Sequence, residues 1–183
     1  MLLYRRRLPH WFPDDATVFV TWRLAGSIPV GQTIAVCGLP TPTVPASFLQ
    51  HDERLDRSDF GPAWLRDTRV ASMLVNALQY GETVRQLYHL HAWVIMPNHV
   101  HAVLDPGVPM PGIMRWLKGR TGRMANRILG RTGMPFWQDE SFDHWVRSAE
   151  ELRAAIDYVE GNPVKAGLVG SKEQWAWSSV RRL

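Results

Sequence analysis

Residues 96–105 read MPNHVHAVLD and set His99 and His101 on either side of one valine, directly after a Pro97-Asn98 turn. Residues two apart on a strand point to the same side, so the two imidazoles project together while Val100 turns into the core. Two neutral imidazoles side by side supply half of a metal site. Paired histidines on a half-exposed strand are equally ordinary polar surface, and HLH at His89 and His91 repeats the spacing, so the pattern alone does not decide. A second constellation is Tyr158 and Asn162, which share one helix face at i and i+4. A tyrosine there is also a common core-edge residue with its hydroxyl in water.

Positioning these groups falls to the surrounding elements. Residues 16–24, ATVFVTWRL, alternate Val18, Val20, Trp22 and Leu24 with Thr17, Thr21 and Arg23, which predicts a half-buried first strand. Residues 61–81 begin with Pro62 in a favoured first-turn position, repeat Leu65, Val70, Leu74, Ala77 and Leu78, and end at Gly81, which predicts a helix. QLYHLHAWVIM reads as a strand with Leu87, His89, His91, Trp93 and Ile95 on one face, and HVHAVL pairs with it as a hairpin. GIMRWLKGRTGRMANRILG is a basic amphipathic helix with Ile113, Leu117, Met124 and Ile128 inward. SFDHWVR supplies a further strand, and AEELRAAIDYVEGNP a last helix ended by Pro163. The order β-α-β-β-α-β followed by a helix predicts an α+β fold: a ferredoxin-like split βαβ antiparallel sheet with helices on one face.

A chain of 183 residues makes one core, so residues 1–183 read as a single domain with a loop insertion around 25–61 and a short C-terminal tail. With 45% apolar residues, no long apolar run and no secretory pattern at MLLYRRRLPHW, the chain reads as globular, not membrane-bound and cytoplasmic. The single cysteine, Cys37, excludes an internal disulfide framework. Net charge is +4, and its distribution says more than its sum. No acidic residue lies between Asp105 and Asp139, whereas Arg115, Lys118, Arg120, Arg123, Arg127 and Arg131 fall inside that window. Such a surface suits nucleic-acid phosphates, or simply solvent. Arg5, Arg6 and Arg7 make either an arm tracking DNA or a loose terminus.

MPNHVH at the hairpin, FWQDESFDHWVRS before the last helix, YVEGNPVKAGLV on it and a closing WAWSS together resemble the REP-associated tyrosine transposases. These are relatives of the single-tyrosine IS200/IS605 transposases with a histidine-hydrophobe-histidine (HUH) motif. LPHW and VTWRLAGSIP near the N-terminus are similar to that family too, and only roughly residues 31–60 lack a matching motif. The resemblance implies His99 and His101 as ligands of a divalent metal, Mg²⁺ or Mn²⁺, with Asn162 as the third ligand and Tyr158 as nucleophile. The corresponding third ligand in better-known transposases is a glutamine, one methylene longer. His89 and His91 do not match the motif and stay sheet residues.

The reaction so implied nicks and rejoins single-stranded or hairpin DNA of the REP palindrome type through a 5′-phosphotyrosine, in a bacterial cytoplasm. Arg115, Lys118, Arg120, Arg123, Arg127 and Arg131 would then contact DNA, and the chain would act as a monomer, with a dimer as the alternative. A hairpin-binding protein of the same fold without cleavage is the chief competitor. A small metal-binding α+β module would leave the acid-free basic window without a purpose.

Overall fold

A computed structural model describes residues 16–27 and 61–181. Most of the expected 25–61 insertion, together with LPHW, Arg5 to Arg7 and Cys37, lies outside the described residues. Four strands, β1 (Thr17–Arg23), β2 (Tyr88–Ile95), β3 (His99–Pro106) and β4 (Phe142–Val146), form one antiparallel sheet in the order β2-β3-β1-β4. This is the strand order of a split βαβ unit, in which the first and third strands pair at the centre. Helices α1 (Thr68–Thr83) and α2 (Met110–Ile128) form the two crossovers, and α3 (Ala149–Lys165) follows β4. No helix among the described residues is long and apolar enough to cross a membrane.

The expected placement of all helices on one face holds for α1 and α2 only. Val18, Val20 and Trp22 of β1, with Val100, Ala102 and Leu104 of β3, pack against Leu74, Leu78, Ile113 and Leu117 of those helices. The opposite face carries Phe19, Val94, Val103 and Val146, which pack against Ala155 and Val159 of α3. Both faces of the central strands are therefore covered, which explains why β3 is buried from His99 to Leu104 instead of alternating. A third helix must go to the free face once two helices fill the first.

Three further expectations change in detail. The helix predicted from Pro62 begins at Thr68, because Asp67 caps it by accepting the Arg69 N–H at 2.9 Å; Trp64–Arg66 forms a separate 3₁₀ turn. Gly81 does not stop α1 but lies inside it. The β2 face is not continuous, because a bulge between Leu90 and Ala92 shifts the register by one residue. Leu90 and Trp93 consequently share one core although three residues apart, while His89 and His91 leave it. Pro163 does not end α3, which runs to Lys165.

The C-terminal segment docks along the outer edge of β2. The Ile95 N–H donates to the Trp177 carbonyl at 2.8 Å, Val94 bridges Ser178, and the Trp175 indole N–H donates to the Ile95 carbonyl at 3.0 Å. An exposed edge is thereby paired.

Glycine fits α1 at position 81 for lack of space: a Cβ there would fall onto the Tyr88 hydroxyl and reach Trp116 at 3.0 Å. That hydroxyl donates to the Leu78 carbonyl at 3.0 Å. We expect Gly81→Ala to destabilise the fold by about 1–3 kcal/mol through overpacking. Gly119, with nothing within 4 Å of its virtual Cβ, should gain about 0.5–1 kcal/mol as alanine. Urea unfolding of the two variants checks both signs.

Candidate active site

The β1–β3 ladder places Thr21 opposite His101 and Arg23 opposite His99. Directly opposed residues share a face, so Phe19, Thr21 and Arg23 line the same side of the sheet as the two histidines, beneath α3. Both histidines are fully buried. Their Nε2 atoms face each other at 2.9 Å, with ring centroids 4.5 Å apart. On the far side of each ring, Nδ1 has its own partner: Asn98 Oδ1 for His99 at 2.7 Å, and Thr21 Oγ1 for His101 at 2.6 Å.

These contacts restrict the protons. Asn98 Oδ1 accepts the Nδ1–H of His99, which leaves the Nε2 lone pair of a neutral ring aimed at His101. The Thr21 hydroxyl takes either role. When it donates to His101, that ring carries its proton on Nε2 and donates it to His99. When it accepts, both Nε2 lone pairs converge, and at 2.9 Å they require a cation between them. The donor chemistry therefore fits a divalent metal ion. Among the described residues no cluster of three His, Cys, Asp or Glu side chains could hold a metal, so any third protein donor there is of another type.

Tyr158 and Asn162 arrive from α3. The Tyr158 ring meets His101 edge-on at 6.0 Å between centroids and Phe19 at 6.1 Å, while Phe19 stacks on His101 at 5.6 Å. Tyr158 remains partly exposed, and Asn162, one turn further on, is fully buried. Because α3 passes through Pro163 without ending, both residues keep regular i, i+4 spacing. His99, His101 and Tyr158 are thus brought together, with Asn162 on the same helix.

The basic residues are not part of this group, since α2 packs on the opposite face of the sheet. Several have partners within the protein. Lys118 donates to the carbonyls of Gln138, Asp139 and Glu140 at 3.0, 3.0 and 3.1 Å. Arg131 stacks on Trp64 at 3.8 Å, and Arg120 lies 5.3 Å from the centre of the Tyr80 ring. Arg115, Arg123 and Arg127 are exposed, and the first two line a cleft of about 370 Å³ between α2 and residues 134–139. His89 and His91 sit towards the other end of the hairpin, against Glu82 at 3.2 Å and Asp105 at 2.8 Å.

Sequence reasoning missed Thr21 and Asn98, which orient the histidines, and Lys165, whose Nζ lies 5.2 Å from the centre of the Tyr158 ring. Thr21 was detectable as a polar residue on the strand face opposite the core residues. Lys165 lies seven residues, two turns, beyond the tyrosine on the same helix face, so its spacing was a usable signal.

An antiparallel ferredoxin-like sheet with two inward histidines and a tyrosine helix across them defines a class of protein with a histidine-pair and tyrosine site. Comparison with known proteins narrows that class. Residues 72–162, which contain both histidines, Tyr158 and Asn162, match the family described as "Transposase IS200 like". Over that stretch the chain is similar to the IS200-like transposases. The REP-associated tyrosine transposase of Escherichia coli (strain K12) is 26% identical over 96 residues, which cover 52% of this chain and 56% of that protein. The match therefore spans little more than half the length of that curated relative. The structure titled "Structure of the REP associates tyrosine transposase bound to a REP hairpin" superposes with a TM-score of 0.62 at 22% identity, covering 100% of this chain and 84% of that one.

The orientation of α3 depends on its N-terminus. Ser148 caps it by accepting the Glu151 N–H at 3.1 Å, while Glu151 accepts from the Arg147 N–H and from His144 Nε2, both at 2.7 Å. One carboxylate thus ties β4 to the tyrosine helix. Glu151→Ala should cost about 1–3 kcal/mol by leaving these donors without their acceptor. Amide exchange should accelerate at the start of α3 and stay unchanged in α1; uniform acceleration would mean that the carboxylate does not anchor this helix locally.

Proposed function

We propose that the protein is a metal-dependent single-tyrosine endonuclease and strand transferase. Its substrate would be single-stranded or hairpin DNA of the REP palindrome type, in a bacterial cytoplasm. The observation that carries this reading is the convergence of the His99 and His101 Nε2 atoms beside Tyr158, on a domain that matches the IS200-like family. The likeness to a chain titled as bound to a REP hairpin supports the choice of substrate.

In this reading His99, His101 and the amide of Asn162 hold Mg²⁺ or Mn²⁺, which when bound polarises a phosphate and offsets charge developing on it. The Tyr158 oxygen attacks the phosphorus, its proton passes to solvent, and the bond to the 3′-oxygen breaks. The chain is then linked to a 5′-phosphate, and the freed 3′-oxygen takes a proton from solvent and leaves as a hydroxyl on the other fragment. Attack by a 3′-hydroxyl on the phosphotyrosine reverses the step and rejoins a strand without a nucleotide cofactor. Phe19 packs against the nucleophile ring and His101, and Lys165 places a cation beside it. The exposed Arg115, Arg123 and Arg127 hold flanking phosphates. Lys118, Arg120 and Arg131 belong to that basic surface with their internal contacts intact.

Tyr158→Phe tests the reading, because it removes one oxygen and keeps the packing ring. With labelled hairpin oligonucleotides and Mn²⁺, the native protein should give a denaturation-resistant adduct and the variant none. Normal cleavage by the variant would reject the tyrosine mechanism. Hairpin binding without cleavage by either protein would favour a binding-only role.

Thr21→Val tests the metal side, since valine keeps the shape but offers His101 no partner. Mn²⁺ affinity measured by calorimetry should fall by roughly 10- to 100-fold. An unchanged affinity would remove Thr21 from the site. Replacing Arg115, Arg123 and Arg127 with alanine should flatten the salt dependence of hairpin binding, by about 0.7–0.9 in log-log slope for each phosphate no longer neutralised. An unaltered slope would assign these arginines to solvent alone.

A further inference from the structure

Arg23 ends β1 directly across the ladder from His99. Opposed strand residues have their Cβ atoms about 4.5–5.5 Å apart on a common face, so the Arg23 side chain leaves the sheet beside the histidine pair. Thr21 and Phe19, two and four residues earlier on the same face, both contact His101. Arg23 is only partly exposed, and burial lowers its pKa from the ordinary arginine value. Its hydrogen-bond partner is a neutral hydroxyl, Ser27 Oγ, at 3.4 Å. Among the described residues no carboxylate forms an ion pair with it.

A half-desolvated guanidinium without a carboxylate is costly unless an anion completes it. On the β3 side its ladder partner is His99, and on the β4 side the Gln138 N–H donates to the Arg23 carbonyl, which brings Asp139 and Glu140 near without an ion pair to the guanidinium. The arginines and Lys118 of α2 pack across the sheet, so Arg23 is the cation on the histidine face that stands next to His99 itself. Its planar fork suits two oxygens of one phosphate.

We propose that Arg23 is a substrate-binding residue of the active site, holding a backbone phosphate of the DNA strand next to the His99–His101 pair. This rests on the strand-transfer reading above and adds a residue outside the 72–162 family match. The guanidinium fixes the strand so that one phosphodiester lies within reach of Tyr158, and it shares the negative charge that grows on the attacked phosphate. Its role differs from that of Arg115, Arg123 and Arg127, because it depends on the position of one phosphate and not on overall charge.

The test combines Arg23→Gln and Arg23→Lys with substrates in which single phosphates around the cleavage point are replaced by neutral methylphosphonates. In single-turnover reactions with Mn²⁺, Arg23→Gln should lower the adduct-forming rate on the order of 100-fold. Mn²⁺ affinity should match the native protein, and the thermal midpoint of the DNA-free protein should not fall. The lysine variant should recover part of that loss through its charge, without the bidentate geometry. One methylphosphonate position should slow the native protein strongly and slow Arg23→Gln little, which identifies the phosphate held. If Arg23→Gln fails to fold, the same loss of sensitivity in Arg23→Lys carries the test.

Equal sensitivity of native and variant proteins at every position would overturn the inference, as would native rates in Arg23→Gln. A native protein that forms no adduct would instead defeat the underlying strand-transfer reading, and this inference with it. A native adduct together with an indifferent Arg23 would defeat the inference alone.

Discussion

Two imidazole nitrogens held 2.9 Å apart in a buried site cannot both present lone pairs unless a proton or a cation lies between them. Much of the architecture serves to impose that approach. The hairpin turn ends with the Met96 N–H donating to the His99 carbonyl, and its tip is held by Leu24 and Leu65, whose N–H groups donate to the Asn98 and Pro97 carbonyls. Register then sets which residues flank the pair. Thr21 reaches His101 only because β1 and β3 pair as they do, and a slip of one residue would send both histidines into the opposite core.

Covering the sheet on both faces separates two tasks. Helices α1 and α2 build the larger core with Trp22, Leu74 and Leu117, and α2 displays its arginines away from the histidines. Helix α3 closes the other face with a smaller core and brings the tyrosine over Phe19 and His101. Because the tyrosine arrives on a separate element, its distance from the histidines is set by how α3 is anchored. Ser148 and Glu151 supply that anchor at the N-terminal end, and the buried Val159 and Asn162 hold the helix to the sheet further on.

Legibility in the sequence followed the periods. A spacing of two on a strand placed His99 and His101 side by side, and a spacing of four placed Tyr158 and Asn162 on one helix face. The strand order was readable from the succession of elements. The side of the sheet taken by α3 was not, because an amphipathic helix shows that it has a buried face but not which surface buries it. The bulge at His91 was hidden as well: Leu87, His89, His91, Trp93 and Ile95 make an unbroken alternation on paper. Only the pairing of Leu90 with Leu104 and Ala92 with Val103 reveals the change of phase. The second histidine pair, at 89 and 91, was separated from the first by resemblance, and its contacts with Glu82 and Asp105 supply a structural reason for those side chains. The basic window was legible as charge but not as geometry. Nothing in its spacing tells that Lys118 turns to three backbone carbonyls or that Arg131 lies on an indole.

The most direct measurement of the central claim, that the tyrosine facing the histidine pair attacks DNA, is the chemical identity of the bond formed. The chain contains four tyrosines, at positions 4, 80, 88 and 158. Protein incubated with a hairpin oligonucleotide and Mn²⁺, digested with nuclease and trypsin, and sequenced by mass spectrometry would locate the nucleotide. The account predicts a 5′-linked nucleotide on Tyr158, in the peptide AAIDYVEGNPVK of residues 154–165, and its loss when metal is chelated beforehand. A nucleotide on Tyr4, Tyr80 or Tyr88, or a linkage through a 3′-phosphate, would contradict it.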